Sequence, residues 1–234
     1  MPTDRTNLEV LYEDNHLLAV NKPAMLPTMG VSADMPSLLT VARDYVRVKH
    51  DKPGNVYLGI VSRLDAPVTG VVLMAKTSKA AARLSQAFRT RAVRKVYLAV
   101  VEGTPAVKEA VLVHYLRKDE RHRKVHCTHE ACPDARLARL TYRQVESRGN
   151  VSLLEVQPET GRKHQIRVQL AKVGRPILGD RKYGSLTPFG QGIALHALRL
   201  EVEHPVRHEP LTIAAPLPGT WRRDSRVNSL LSDH

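Results

Sequence analysis

Aromatic side chains make up only 4% of the 234 residues, with one Trp and two Phe. That is thin for a surface that stacks successive single-stranded bases, so recognition of a nucleic acid should rest on shape and phosphate contact. Cysteine is scarcer still: Cys127 and Cys132 are too few for a disulfide framework, which fits a reducing compartment. No apolar run approaches the roughly 18–20 residues a membrane span needs. Met1–Val10 lacks the charged, apolar and small-residue zones of a signal peptide, so the expected address is the cytoplasm, without membrane attachment. There is no Gly-x4-Gly-Lys-Ser/Thr loop for a nucleotide and no Gly-x-Ser-x-Gly elbow for a hydrolase. His126-Cys127-Thr-His129-Glu-Ala-Cys132 crowds potential ligands together, but it matches no common zinc spacing and reads as a solvated basic loop, so no metal site is expected.

What is present is positive charge. Against 23 Asp and Glu stand 36 Lys and Arg, a formal net charge of +13. A polyanionic partner is the natural reading, although a merely soluble basic enzyme would share the balance. Hydrophobic residues at 42% give an ordinary folding composition, and the length fits one domain over 1–234.

Along the chain, Leu8–Tyr12 and His16–Val20 flank a polar turn and predict paired strands. A Pro/Gly-bearing loop then leads to a helix from about Ser37 to Lys49. Val56–Val61 and Val71–Ala75 read as strands around the constrained loop Ser62-Arg-Leu-Asp-Ala-Pro-Val-Thr-Gly70. Ser78 is the expected cap of a second helix, Lys79–Thr90. Strand patterns follow at 95–101, 109–116, 135–145 and 151–156, with a third helix over His164–Val173 whose buried stripe would be Ile166, Leu170 and Val173. Strand patterns resume at 193–202 and 210–214. Many strands with few interspersed helices predict an α+β fold rather than a doubly wound one. The stretch 114–136, dense in Arg, Lys and His, reads as an exposed basic hairpin or insertion.

Three segments could carry chemistry. Asp65, between a strand and a Pro/Gly-bearing loop, is by itself an ordinary turn residue. Held rigidly beside Arg63, it could instead serve as nucleophile or base, a weak signal taken alone. In Thr160-Gly-Arg-Lys-His-Gln-Ile-Arg167 a glycine turn enters a helix start rich in donors, so Arg162, Lys163 and His164 suggest a phosphate-binding corner or a solvated basic turn. Tyr97 lies in a basic entry to an apolar strand, where a half-buried structural Tyr is the usual case.

In this order, the segments resemble the RluA-type family of RNA pseudouridine synthases. The resemblance runs from Leu11-Tyr-Glu-Asp-Asn-His-Leu-Leu-Ala-Val-Asn-Lys-Pro23 through Arg63-Leu-Asp65, Thr69-Gly70 and Lys95-Val-Tyr97. It continues through Thr160–Arg167, Pro176-Ile-Leu-Gly-Asp180 and Leu195-His-Ala197 to Ala215-Pro-Leu-Pro218. It implies a mixed, mainly antiparallel central sheet with flanking helices and a cleft, and isomerisation of uridine in structured RNA, transfer or ribosomal, without cofactor or metal. It implies that Asp65 is the essential carboxylate, that Arg167 pairs with it, that Tyr97 packs on the uracil, and that Arg63 helps displace the target base. The family usually has His where this chain has Ser62, and Thr-Ser where it has Val68-Thr69, changes that bear on local packing and target context. Family-like sequence begins by Leu8, which leaves no room for an N-terminal domain like that of ribosomal protein S4. A monomer is the simplest expectation. A catalytically inactive RNA-binding or assembly factor is the alternative, against which intact Asp65, Tyr97 and Arg167 speak.

Overall fold

The computed structural model describes residues 8–32, 35–51 and 53–231. Residues 1–7, part of the opening stretch without signal-peptide zones, lie outside the described residues. The chain forms two compact units, one of Met1–Arg94 with Ala197–Pro216 and the other of Lys95–His196 with Leu217–His234.

In the first unit, β1 (Val10–Glu13) pairs antiparallel with β2 (Leu17–Lys22). Helix α1 (Leu38–Lys49) follows, then β3 (Gly59–Ile60) and β4 (Thr69–Ala75), and both β2 and β3 pair antiparallel with β4. Strands β2 and β4 carry unbroken apolar runs rather than an alternating pattern because both their faces are covered. Leu18, Val20, Val72 and Met74 pack with Leu38, Ala42 and Val46 of α1. The intervening Leu17, Ala19, Val71 and Leu73 pack with Ala80 and Leu84 of α2 (Ser78–Arg89).

Ser37 caps α1 in a reciprocal box with Thr40: the Ser37 hydroxyl accepts from Thr40 N (3.2 Å) and the Thr40 hydroxyl accepts from Ser37 N (2.9 Å). The cap of α2 is Thr77, which accepts from Ala80 N at 3.2 Å, rather than the expected Ser78. The expected strand over Val56–Val61 shrinks to Gly59–Ile60, because Val56 and Leu58 are buried by packing without ladder pairing.

In the second unit, β5 (Arg94–Glu102), β6 (Glu109–Asp119), β7 (Lys124–Thr128), β8 (Arg136–Arg148) and β9 (Val151–Pro158) pair antiparallel in the order β5, β9, β8, β6, β7. The basic stretch 114–136 thus spans the end of β6, all of β7 and the start of β8. Helix α3 (Gln165–Lys172) packs Val168 on Leu116, Val125, Ala138 and Tyr183. Every residue from Gln165 to Leu170 is buried, whereas Val173, expected in the buried stripe, is 41% exposed. The reason is that α3 ends at Lys172, so Val173 is its C-cap and leaves the helical register.

Strand β10 (Leu195–Glu203) pairs antiparallel with β11 (Pro210–Ala214). Two short helices not anticipated from the sequence, α4 (Gly219–Arg223) and α5 (Ser225–Leu231), close the chain. They bury Trp221 edge-on against Phe189 and His196. Mainly antiparallel strands with few helices make the architecture α+β, as expected.

Gly70 opens β4 with φ +111°, and a Cβ there would come 2.3 Å from the Ala197 carbonyl oxygen. Both the backbone conformation and the close strand approach need glycine. Gly70→Ala is expected to destabilise the protein by about 2–3 kcal/mol, read as a lower urea midpoint with an unchanged slope. Wild-type stability for this variant would show that the strand shifts without cost.

Candidate active-site elements

Asp65 sits half-buried in the loop between β3 and β4, with Arg63 exposed beside it. Long-range bonds hold this loop from several directions. The Thr28 hydroxyl, buried to 3% exposure, donates to Leu64 O (2.8 Å) and accepts from Leu64 N (3.1 Å), securing both backbone groups of the preceding residue. On the other side of Asp65, the fully buried Lys22 Nζ donates to Ala66 O at 3.0 Å, and also to Pro23 O (2.7 Å) and Leu26 O (2.8 Å). Val68 N closes a turn onto Asp65 O (3.0 Å), and the Ser62 hydroxyl accepts from Leu73 N (2.8 Å). The segment carrying Thr28 is itself fixed, because the first amides of α1, Leu38 N and Leu39 N, donate to Pro27 O and Thr28 O. The carboxylate is therefore presented from a preorganised loop.

Lys22 is the residue that sequence reasoning missed in this unit. A signal was present: it continues the β2 face of Leu18 and Val20, both core residues, so a cation falls in register with buried apolar positions. Three carbonyls match the three N–H bonds of an ammonium. Burial pulls Lys22 down to about 7, opposed by the attraction of the Asp65 carboxylate. The unfolded value lies near 10.5, so between pH 7 and 10.5 the unfolded chain binds more protons, and this group's contribution to stability rises with pH. Lys22→Met is expected to flatten that slope and to cost about 2–3 kcal/mol through the carbonyls left without a donor. Denaturant titrations from pH 6 to 9 would measure both effects. An unaltered pH slope would remove Lys22 as its source.

In the second unit, Tyr97 lies half-buried on β5, opposite Val156 of β9. Lys95 shares its face of the strand, two residues earlier, and donates to Thr160 O at 3.2 Å. The Thr160–His164 turn is organised by buried Gln165. Its side-chain oxygen accepts from Thr160 Oγ1 (2.7 Å) and Arg162 N (3.0 Å), and its amide donates to Arg139 O (3.0 Å). Arg162 and Lys163 are exposed, and Arg162 Nε donates to Leu137 O at 3.1 Å.

His164 adopts φ +53° at the start of α3, a left-handed conformation uncommon outside glycine. Its Nδ1 lies 2.7 Å from the Tyr183 hydroxyl, which accepts from Val125 N at 3.0 Å and so has its own proton to donate to the imidazole.

Arg167, outside the expected stripe of Ile166, Leu170 and Val173, is itself only 5% exposed. Asp180 makes this burial tolerable by accepting from Arg167 Nε (2.7 Å) and Nη2 (2.8 Å) in a fork-on-fork pair. The guanidinium also lies over the Tyr183 ring, 5.1 Å from its centroid. Asp180 was visible in sequence only as the end of Pro176-Ile-Leu-Gly-Asp180; a buried Arg implies a carboxylate partner without saying which.

A family model described as RNA pseudouridylate synthase matches residues 16–172. The chain is 34% identical to tRNA pseudouridine synthase C of Salmonella typhi, over 92% of this chain and 87% of that protein. It is 32% identical to ribosomal large subunit pseudouridine synthase C of Rickettsia prowazekii, over 92% of this chain and 69% of that one. Among solved structures it superposes on human RNA pseudouridylate synthase domain containing 4 with a TM-score of 0.77 at 26% identity, covering 95% of this chain and 92% of the other.

Proposed function

Because the chain belongs to the RNA pseudouridylate synthase family and so isomerises uridine to pseudouridine in RNA, we propose that Asp65 is its catalytic carboxylate, with Tyr97 and Arg167 serving the same reaction. The reaction breaks the bond from N1 to the sugar, turns the uracil and rejoins it through C5, whose proton is released. No electrons are gained or lost overall, so the chemistry asks for positioning and charge rather than a redox partner. Acting as nucleophile or as base toward the C2′ proton, Asp65 must be ionised. The observation that carries this assignment is the clamped loop: Thr28 and Lys22 fix the residues on both sides of Asp65, so that little motion remains to be frozen out when substrate arrives.

A uridine within a stacked RNA must leave the stack before any carboxylate can reach it, at a cost of a few kcal/mol that is least in loops. Exposed Arg63, two residues from Asp65, is positioned in the chain to occupy the space left behind. Tyr97 packs on the extruded uracil, and Arg167 supplies the cation that favours an ionised carboxylate. Arg162, Lys163 and His164 contact phosphate. The substrate is a structured transfer or ribosomal RNA, bound by a cytoplasmic monomer; relatives named for each class of RNA support this range.

The test uses total RNA from cells lacking the protein, tritiated at uracil C5. Wild-type protein is expected to release tritium, and fractionation of the RNA then identifies the substrate. RNA binding that weakens steeply with salt but is accompanied by no release would overturn the catalytic assignment.

A further inference from the structure

The first unit contains a cavity of about 610 Å³ that shares no residue with the Asp65 loop. Its wall on one side is α1, which presents Arg43 and Arg47 one turn apart. On the other side are Asn55 and Tyr57, with buried Val56 between them. The volume falls within the range of about 300–1,000 Å³ typical of small-ligand clefts.

Thr40, whose hydroxyl is bonded to Ser37, and Asp44, which is paired with Arg47, complete the lining, while the other polar groups have capacity to spare. Arg43 Nε is shielded from solvent and, among the described residues, has no hydrogen-bond partner. That is a costly state for a cation's donor, and an incoming acceptor would relieve it. Arg47 pairs with Asp44 at 2.6 Å, but the two side chains are 48% and 62% exposed, so this solvated ion pair yields readily to a phosphate. Tyr57 is 50% exposed in a chain with few aromatics, and a Cβ at residue 59 would come within 2.9 Å of its hydroxyl. Gly59 thus lets the ring lie close to the backbone while keeping surface open for stacking. Asn55 offers both a donor and an acceptor to a base edge. Two guanidinium groups, a half-exposed phenol ring and an amide around one cavity match the parts of a nucleotide: phosphate, base face and base edge.

We propose that this cavity is a second RNA-binding site, which takes an unpaired nucleotide of the substrate other than the uridine being isomerised. The proposal rests on the assignment of RNA as substrate, and it adds a specificity element outside the reacting loop. The requirement for an unpaired nucleotide follows from the stacking surface, since a base held in a duplex has no free face to offer.

The probe is a fluorescent eight-nucleotide oligoadenylate, which contains no uridine and so reports this site independently of isomerisation. Tyr57→Ala and Tyr57→Leu are expected to weaken its binding by about tenfold, while Tyr57→Phe keeps wild-type affinity. Arg43→Gln with Arg47→Gln should lower the slope of log affinity against log salt by about 0.7 for each phosphate no longer neutralised. On a structured RNA substrate, Tyr57→Leu should raise KM and leave kcat unchanged. If wild-type protein fails to bind oligoadenylate, or the Tyr57 variants bind it as wild type does, the proposal is overturned, while tritium release still reports the isomerase separately. Equal competition by polyphosphate or polyglutamate, insensitive to Tyr57, would also overturn it by showing a general anion or acidic-protein site.

Discussion

Asp65→Asn is expected to reduce tritium release from C5-labelled RNA by at least about 10⁴-fold, with RNA affinity within about twofold of wild type. The amide has the shape of the carboxylate but neither its negative charge nor its basicity. The bonds that hold the loop, from Thr28 to Leu64 and from Lys22 to Ala66, use the backbone of neighbouring residues and survive the substitution. Loss of turnover would therefore report chemistry rather than unfolding. A second readout follows from the same change. Asp65 is the charge that opposes the downward pull of burial on Lys22, so in Asp65→Asn the lysine should titrate below its value of about 7. Turnover by the Asp65→Asn variant near the wild-type rate would end the catalytic assignment of Asp65, whatever the lysine does.

Asp180→Ala is expected to cost about 3–5 kcal/mol of stability, because it strands the Arg167 guanidinium without the carboxylate that makes its burial tolerable. For a chain of this size, that is a fall in Tm of roughly 6–20 °C. Both partners are nearly inaccessible, with side-chain exposures of 6% and 1%, so bulk water cannot replace the missing bonds. Tyr183 would still face the guanidinium, but a ring face offers far less than a two-point carboxylate. Asp180→Ala combined with Arg167→Met should recover part of the lost stability, since an apolar side chain of similar length removes the stranded charge, while activity stays low because Arg167 is gone. At temperatures where Asp180→Ala is folded, kcat is expected to fall through a guanidinium no longer held in one orientation. A cost below about 1 kcal/mol would mean that the pair behaves as a solvated one and that Asp180 has no such role.

Much of this protein was legible along the chain. The paired strands around Asp14, the capped helix after Ser37 and the strands β5, β6, β8 and β9 follow from local patterns, because a strand or helix is chosen largely by the spacing of its apolar residues and by the groups at its ends. The ordered motifs around Asp65, Tyr97 and Arg167 were sufficient to identify the family, and with it the reaction. Where local patterns misled, the reason was equally local. Thr77 rather than Ser78 caps α2, since both residue types serve and only the backbone decides which is the half-in residue. The α4 and α5 helices lacked a long apolar period, and they bury Trp221 and Val227, Leu230 and Leu231 respectively.

By itself, then, the sequence determined the kind of fold, the family and the motifs in which its chemistry is sought. Only the tertiary structure decided how those residues are held. Lys22 reaches Ala66 across 44 positions and Thr28 reaches Leu64 across 36, partners that no local pattern names. Arg167 lay outside the expected apolar stripe, and its burial is completed by Asp180, while Arg43, Arg47, Asn55 and Tyr57 became a candidate site only on sharing a cavity. The physical reason is common to all of them. Whether a polar group can be buried depends on the partners that meet it after the chain has folded, and in a low-dielectric interior that pairing outweighs any local preference of the residue itself.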